Sequence, residues 1–473
     1  MNNILQTTLS SATSTGEHLF NELPLSPGLL ATLQQLEYQT MTPIQAASLP
    51  ITLAGHDLIA QAKTGSGKTA AFALALLTNL NPRHFAVQAM VLCPTRELAD
   101  QVTQELRRLA RSTDNIKILT LCGGSTMRPQ MASLEHGAHI IVGTPGRIMD
   151  HLARGSLDLR ALNTLVLDEA DRMLGMGFYD DIAYVVKHCP SQRQTLLFSA
   201  TYPSSIAGLA RQFLRNPREV KLLEQHKKNK IHQRFYEIEH ETRLQTVGLL
   251  LKHYRPVSTL AFCNTKQQCR DLLEVLQAQG IHALTLNGDL EQRERDQVLI
   301  QFSNRSCSVL VATDVAARGL DITQLEAVIN VDVTPDPEIH IHRIGRTGRA
   351  DENGWALSLY SLSEMSRVAA ITKMMGYEPE WHDLATLQSD HNTPLASPMA
   401  TLQILGGRKE KIRPGDVLGA LTGEAGYTRE QVGKITVTDQ STYVAVARNI
   451  AREAARKLSA GKVKGKTVKV RAL

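Results

Sequence analysis

Short apolar runs of four or five residues alternate with helix-like stretches through the first three quarters of this 473-residue chain. Ala89–Cys93, His139–Val142, Thr164–Leu167 and Thr195–Phe198 form one set, and each closes on a polar or Gly/Pro-containing loop. Near-continuous apolar runs of this length suit strands buried on both faces of a parallel sheet. The pattern repeats in Thr259–Cys263, Ala283–Leu286, Ser308–Val311 and Ala327–Asn330. The polar stretch 216–230 between the two sets reads as a linker. A chain of this length exceeds one compact core. The expectation is two tandem α/β domains, 19–215 and 231–383, behind a flexible leader at 1–18.

After a second linker, 384–398, the rhythm changes. Thr401–Leu405 reads as a strand, Pro414–Leu421 as a helix, and Ile435–Val437 and Tyr443–Val446 as two close strands. Asn449–Leu458 is an Ala-rich helix and Thr467–Val470 a last strand. That order, βαββαβ over 399–473, predicts a small α+β domain of RRM-like type. Charge divides at the same place. Residues 399–473 carry 15 Lys and Arg against 6 Asp and Glu, while residues 1–398 carry 37 against 40. A basic terminal domain on a near-neutral body suggests docking to a polyanion.

No apolar run approaches the roughly 20 residues that span a bilayer, and Met1–Gly16 lacks the pattern of a secretory signal. The six cysteines form no CxxC pair. Buried free thiols in a reducing cytosol are expected, and a cytoplasmic location with them.

The loops carry the chemistry. Ala62-Lys63-Thr64-Gly65-Ser66-Gly67-Lys68-Thr69 is a phosphate cradle. Its glycines Gly65 and Gly67, with Ser66 between them, let backbone N–H groups approach phosphate, and the following helix, Ala70–Leu77, presents its positive end. Lys68 supplies a point charge and Thr69 a hydroxyl for Mg²⁺. Asp168-Glu169-Ala170-Asp171 follows a four-residue strand, so Asp168 would hold Mg²⁺ and Glu169 would activate water. A solvated acidic helix start is the bland alternative. His342-Arg343-Ile344-Gly345-Arg346-Thr347-Gly348-Arg349 spaces its arginines at i, i+3 and i+6, which on a helix share one face. A basic surface stripe is the alternative there. The second domain has no phosphate loop of its own, and an arginine for the γ-phosphate is the part such a site still lacks.

The ordered set, from about Phe20 to Met375, strongly resembles the DEAD-box RNA helicases. Thr42-Pro43-Ile44-Gln45 matches the Q motif, and Phe20 its upstream aromatic. The cradle is motif I, and Pro94-Thr95-Arg96-Glu97-Leu98 is motif Ia. Gly123-Gly124, Thr144-Pro145-Gly146-Arg147, the Asp168–Asp171 run and Ser199-Ala200-Thr201 follow. Phe262, Gln292, Arg295, Ala312–Asp321 and His342–Arg349 complete it. The resemblance implies two RecA-like domains and ATP as the substrate. Gln45 would read adenine, Phe20 would stack on it, and Asp321 would touch ribose. Arg346 and Arg349 would reach the γ-phosphate, Arg349 as the finger. Ser199 and Thr201 would couple hydrolysis to closure of the domains. Thr95, Arg96, Gly124, Thr144, Pro145, Gly146, Arg147 and Thr313 would hold an RNA backbone, contacts that position a strand without reading it. Bending of one strand on closure would separate short duplexes non-processively. The chain departs from the family pattern at Glu37, often Gly, and Val331, often Tyr.

The basic tail resembles the terminal domain of the bacterial DbpA/YxiN helicases through Gly406-Gly407-Arg408-Lys409 and Arg413-Pro414-Gly415-Asp416. This implies a large-subunit ribosomal RNA hairpin as target, a pre-ribosomal particle as partner and ribosome assembly as the setting. From the residues alone, base stacking on the sheet is doubtful, since only Tyr443 is available and packing explains it equally well. Arg408, Lys409, Lys411 and Arg413, with Lys462, Lys464, Lys466 and Lys469, are the expected RNA contacts, against a nonspecific basic anchor as the alternative. A DNA-translocating helicase and an ATP-dependent RNA clamp are the rival functions, and a monomer is the default.

Overall fold

The computed structural model describes residues 18–62, 65–113, 115–202, 204–222, 231–317, 325–348, 354–388 and 395–473. They fall into two compact units, residues 18–222 and 231–473.

The first unit is a seven-stranded parallel sheet. Its strands are β1 (Leu58–Gln61), β2 (Ala89–Leu92), β3 (Ile118–Leu121), β4 (Ile140–Gly143), β5 (Thr164–Leu167), β6 (Gln194–Ser199) and β7 (Arg218–Lys221), in the order β3-β4-β2-β5-β6-β1-β7. Alternate residues of each strand feed two separate cores. Ala89, Val91 and Cys93 join one with Phe72, Leu74 and Val102; Met90 and Leu92 join the other with Ile148, Met173 and Ile182. Helices thus cover both faces, as the unbroken apolar runs require.

The second unit repeats the plan with β8 (Ile231–Glu237), β9 (Thr259–Cys263), β10 (Ala283–Leu286), β11 (Val309–Thr313), β12 (Ala327–Asn330), β13 (Gly354–Tyr360) and β14 (Glu380–His382). The order is β10-β11-β9-β12-β13-β8-β14, again parallel throughout.

A four-stranded antiparallel sheet belongs to this same unit: β15 (Met399–Leu405), β16 (Val432–Val437), β17 (Ser441–Ala447) and β18 (Val470–Ala472), in the order β16-β17-β15-β18. One face packs the helices Pro414–Gly419 and Ala451–Ala460 through Leu402, Ile404, Val444 and Val446. On the other face the central strands β15 and β17 are buried as well, while Lys434 on β16 and Arg471 on β18 stay exposed. Thr401 Oγ1 accepts from Asn304 Nδ2 at 3.1 Å and bonds Ser306 Oγ at 2.7 Å, and Ser308 Oγ meets Ser397 Oγ at 3.0 Å. Arg448 donates to the carbonyls of Ser397, Met399 and Ser306 at 2.5, 2.7 and 3.0 Å. The small domain is therefore joined to the second α/β sheet by a polar seam. Tyr443 is 4 % exposed and its hydroxyl accepts from Gln403 Nε2 at 3.2 Å. It is a packing residue, the second of the two readings open from the sequence.

All six cysteines are free and buried, as expected. No helix among the described residues is long and apolar enough to cross a membrane.

The second unit carries one local liability. His340, on the helix Pro337–Ile344, is 1 % exposed, lies 5.9 Å from the ring of Phe235, and finds no partner for either ring nitrogen among the described residues. Burial, with Arg343 beside it, pushes its pKa down from 6.5 to about 3. The folded imidazole stays neutral where the unfolded chain would bind a proton. Its contribution to stability is full above the unfolded pKa and lost as pH falls below it, at about 1.4 kcal/mol per pH unit. His340→Phe should flatten the fall of melting temperature between pH 6.5 and 5, measured by circular dichroism against wild type.

Candidate active site

Strand order assembles the site. β6 lies between β5 and β1, all parallel, so the loops leaving their carboxyl ends emerge side by side. These loops are the phosphate cradle, the Asp168–Asp171 run and Ser199–Thr201. The carboxyl edge of an open α/β sheet is where such folds bind ligands.

In the cradle, Lys63 and Thr64 lie outside the described residues. Gly65 and Gly67 hold φ of +79° and +96°. Gly67 caps the helix Lys68–Thr78, and a Cβ there would lie 2.6 Å from Gln45 Nε2 and 2.8 Å from Thr42 Oγ1. Conformation and space both demand glycine. The unpaired amides of the helix start offer an anion site. Lys68 is buried, its Nζ donating to the Ala62 carbonyl at 2.6 Å. Gln45 is buried too. Its Oε1 accepts from Thr42 N at 2.9 Å and its Nε2 donates to the Gly67 carbonyl at 3.1 Å. The amide expected to read adenine is thus bonded to the phosphate loop. Phe20 is buried edge-on to Tyr38, with centroids 6.4 Å apart, and Tyr38 OH donates to Glu105 at 2.7 Å. Glu37 takes φ +61°, a conformation that costs a side chain about 1–2 kcal/mol and explains why glycine suits that place.

Asp168 is 2 % exposed, and burial pushes its carboxyl up to about 7 against the pull of Lys68. Its Oδ1 accepts from Glu169 N at 3.0 Å. Glu169 sits at φ +52°, a strained left-handed conformation of the kind that gathers at active sites. Its carboxylate pairs with Arg172 at 2.7 Å. Arg172 was missed from the sequence, although its i, i+3 spacing from Glu169 is a usable signal. Asp171 Oδ2 accepts from both Thr201 N and Thr201 Oγ1 at 2.9 Å. Ser199 Oγ donates to the Thr201 carbonyl at 2.6 Å, and the Ser199 carbonyl accepts from Ala62 N at 3.0 Å. Among the described residues no group of three or more His, Cys, Asp or Glu forms a metal cage. A Mg²⁺–nucleotide site does not need one: one carboxylate, a hydroxyl and substrate phosphates suffice. Asp168, buried and short of countercharge, fits that donor set, with Thr69 in the first turn of the cradle helix.

The other half of the same edge, β3-β4-β2, carries the expected nucleic-acid loops. Thr95 caps the helix Arg96–Leu109, its hydroxyl accepting from Leu98 N at 3.3 Å, and Arg96 lies 3.8 Å from Asp100. Gly124 is exposed with φ +75°. Thr144 precedes the helix Pro145–Ala153, so Pro145, Gly146 and Arg147 form its first turn. Arg147 turns inward, donating to the Ser125 carbonyl at 3.0 Å and to Gln130 Oε1 at 3.1 Å.

In the second unit, Thr313 ends β11 and its hydroxyl accepts from Ala316 N at 3.4 Å. Arg343 and Arg346 do not share one helical face. The helix stops at Ile344, with Gly345 as its cap, because Arg346 and Thr347 turn to pair with Leu325 in an isolated bridge. Arg343 points into the unit, 1 % exposed. It donates to both oxygens of Asp314 at 2.7 and 2.6 Å, to Asn264 Oδ1 at 3.1 Å and to the Asp332 carbonyl at 2.8 Å, and lies 5.0 Å over the Phe262 ring. Arg346 is also buried. Arg349 and Asp321 lie outside the described residues. At the other end of the unit, two basic segments converge: Lys464 Nζ donates to the Lys411 carbonyl and lies 3.8 Å from Asp416. Arg408, Lys409, Lys411 and Arg413 are all exposed there.

Family models place the whole arrangement. Residues 42–209 match the DEAD/DEAH box helicase family, 242–351 the helicase conserved C-terminal domain and 401–472 the DbpA RNA binding domain. The chain is 51% identical over 455 residues to the ATP-dependent RNA helicase DbpA of Escherichia coli, covering 95% of this chain and 98% of that one. It is 42% identical over 353 residues to the DEAD-box helicase CshA of Bacillus subtilis, covering 74% of this chain and 71% of CshA. Among solved structures, Saccharomyces cerevisiae Dbp5 bound to RNA and ADP BeF3 aligns with a TM-score of 0.71 at 32% identity, over 77% of this chain and 96% of Dbp5. With the phosphate cradle, the buried carboxylates and the bridge to Thr201 on neighbouring strand ends, the chain belongs to the DEAD-box family and is an ATP-dependent RNA helicase with a DbpA RNA-binding domain.

Proposed function

We propose that this helicase performs local, non-processive unwinding, directed by its terminal domain to a hairpin of large-subunit ribosomal RNA during ribosome assembly. The observation that carries the enzymatic part is the convergence of Lys68, Asp168 and Glu169 with the Ser199–Thr201 loop on three adjacent strand ends. Lys68 binds the outer phosphates, Gln45 and Phe20 recognise adenine, and Asp321 meets the ribose. Glu169, held by Arg172, orients and deprotonates water. Arg346 and Arg349 stabilise charge on the γ-phosphate. Mg²⁺, held by Thr69 and Asp168, supplies neutralising charge on the phosphates when bound. Ser199 and Thr201 transmit the state of the carboxylate loop. The Thr95–Arg96, Gly124, Thr144–Arg147 and Thr313 segments hold the RNA backbone.

The targeting reading rests on the similarity to DbpA and on the exposed basic cluster Arg408–Arg413 beside Lys464. The covered centre of the sheet face supports loops as the RNA-contacting elements. The protein works in the cytoplasm, as a monomer, on a pre-ribosomal particle.

Lys68→Ala and Glu169→Gln should each lower RNA-stimulated ATP hydrolysis at least about a hundredfold, read as steady-state phosphate release; intact hydrolysis in either would remove the assigned roles. For targeting, hydrolysis is compared with a large-subunit rRNA hairpin and an unrelated RNA of equal length, in wild type and in a variant with Arg408, Lys409, Lys411 and Arg413 changed to Ala. Surface substitution is preferred to truncation because the polar seam would be cut by removing residues after 398. Selective stimulation by the hairpin, lost in the variant, is expected. Equal stimulation by both RNAs would leave a general RNA helicase with a nonspecific anchor.

A further inference from the structure

We propose that Gln130 and His151 are positioning residues for RNA, and that Arg147 serves RNA binding by fastening a loop instead of by contacting phosphate. This rests on the reading that the loops after β3 and β4 hold the RNA backbone.

The two loops are lashed together through one amide. Gln130, on the helix Met127–Glu135, donates from Nε2 to the Cys122 carbonyl at 3.0 Å and to Ser125 Oγ at 2.8 Å. Its Oε1 accepts from Arg147 Nη1 at 3.1 Å and pairs with His151 Nε2 at 3.1 Å. Two acceptors on one side and two donors on the other fix the amide's orientation. The amide oxygen calls for a proton on His151 Nε2, while Nδ1 meets Ser156 Oγ at 2.8 Å, whose own hydroxyl donates to the His151 carbonyl at 3.1 Å. Arg147 closes the circuit by donating from Nη2 to the Ser125 carbonyl at 3.0 Å. Gly124, left-handed and exposed, sits inside the loop so held.

A guanidinium that grips phosphate keeps its fork free for two parallel bonds to the ligand. Here both terminal nitrogens are committed to protein acceptors, Nε lies 3.7 Å from Asp150, and the side chain is 12 % exposed. What Arg147 and Gln130 deliver is a fixed track of backbone amides and small side chains across two adjacent strand ends.

The two roles differ in salt dependence. A phosphate contact releases a counterion, and its loss lowers the slope of log affinity against log salt by about 0.7 on a single strand. Loss of a positioning group weakens binding without changing the slope. The experiment is fluorescence-anisotropy binding of a fluorescein-labelled oligouridine with a non-hydrolysable ATP analogue across KCl concentrations. It uses the full chain as wild type, Arg147→Ala, Gln130→Ala, the double variant, the milder Arg147→Lys and Gln130→Glu, and Arg96→Ala as a control. Melting temperatures certify folding, and the milder pair stands in where an alanine variant melts early. Both single variants should weaken RNA binding about tenfold with the wild-type slope, and the double variant should be no weaker than either, since they break one circuit. RNA-stimulated hydrolysis should show a raised KM for RNA with kcat retained. A reduced slope in Arg147→Ala with normal binding in Gln130→Ala would overturn the proposal. If Arg96→Ala weakens binding while every variant of the circuit leaves it unchanged, the loops are not on the RNA path and the premise falls with the proposal.

Discussion

The bond pair from Thr201 to the Asp171 carboxylate, with the Ser199 carbonyl on the Ala62 amide, is the constraint around which the first unit is organised. It joins three loops that would otherwise end independently on three strands. The sheet makes this possible only because β6 separates β1 from β5 by one strand on each side, so that parallel carboxyl ends bring the loops within hydrogen-bond reach. Asp171 is bonded to the loop that follows the next strand, while Asp168 is buried, and desolvation raises its carboxyl against the pull of Lys68. Two hydrogen bonds thus join the loop that carries Asp168 and Glu169 to the Ser199–Thr201 loop, the path by which the proposed function couples them. The same edge continues into the loops after β4 and β3, the ones that the proposed function assigns to RNA.

The second unit answers the same problem differently. Its carboxyl edge is organised around a buried guanidinium, Arg343, which joins the helix after β12 to Asp314 after β11 and Asn264 after β9. Removing such a group would leave several buried acceptors unpaired, each costing about 1–3 kcal/mol. The antiparallel sheet adds a further consequence. Because Thr401, Gln403, Ser441 and Tyr443 are buried, the centre of the flat face that an RRM-like sheet offers to bases is covered. The exposed basic cluster Arg408–Arg413 lies in the loop after β15, which the proposed function assigns to RNA.

Sequence alone revealed the strands that are buried on both faces, because short apolar runs of four or five residues bounded by polar or glycine-containing loops are too brief for a helix; Thr164–Leu167 and Ala327–Asn330 match the observed strands residue for residue. Strands of mixed character were not legible. β8, with His232, Gln233 and Arg234, draws its place from pairing with β13 and β14 instead of from pattern. The last strand was placed at Thr467–Val470 and lies at Val470–Ala472, where pairing with β15 sets the register. The i, i+3 and i+6 spacing of the arginines after His342 carries no information on where a helix stops; Gly345 and the bridge from Thr347 to Leu325 end it before Arg346. The cradle, the acidic run and the Ser199–Thr201 loop were legible as local motifs. Arg172, Gln130 and His151 were not singled out, since a lone polar residue on a helix carries no chemistry until its partners are in place.

The proposed function makes the Asp171–Thr201 bridge the link between nucleotide binding and RNA binding. The direct test is the change in RNA affinity caused by a non-hydrolysable ATP analogue, measured in wild type and in Asp171→Asn of equal melting temperature. Coupling between two sites of one protein typically amounts to about 1–3 kcal/mol. The account predicts that wild type shows such coupling and that Asp171→Asn binds each ligand alone as before while losing most of it. Full coupling in the variant would contradict the account.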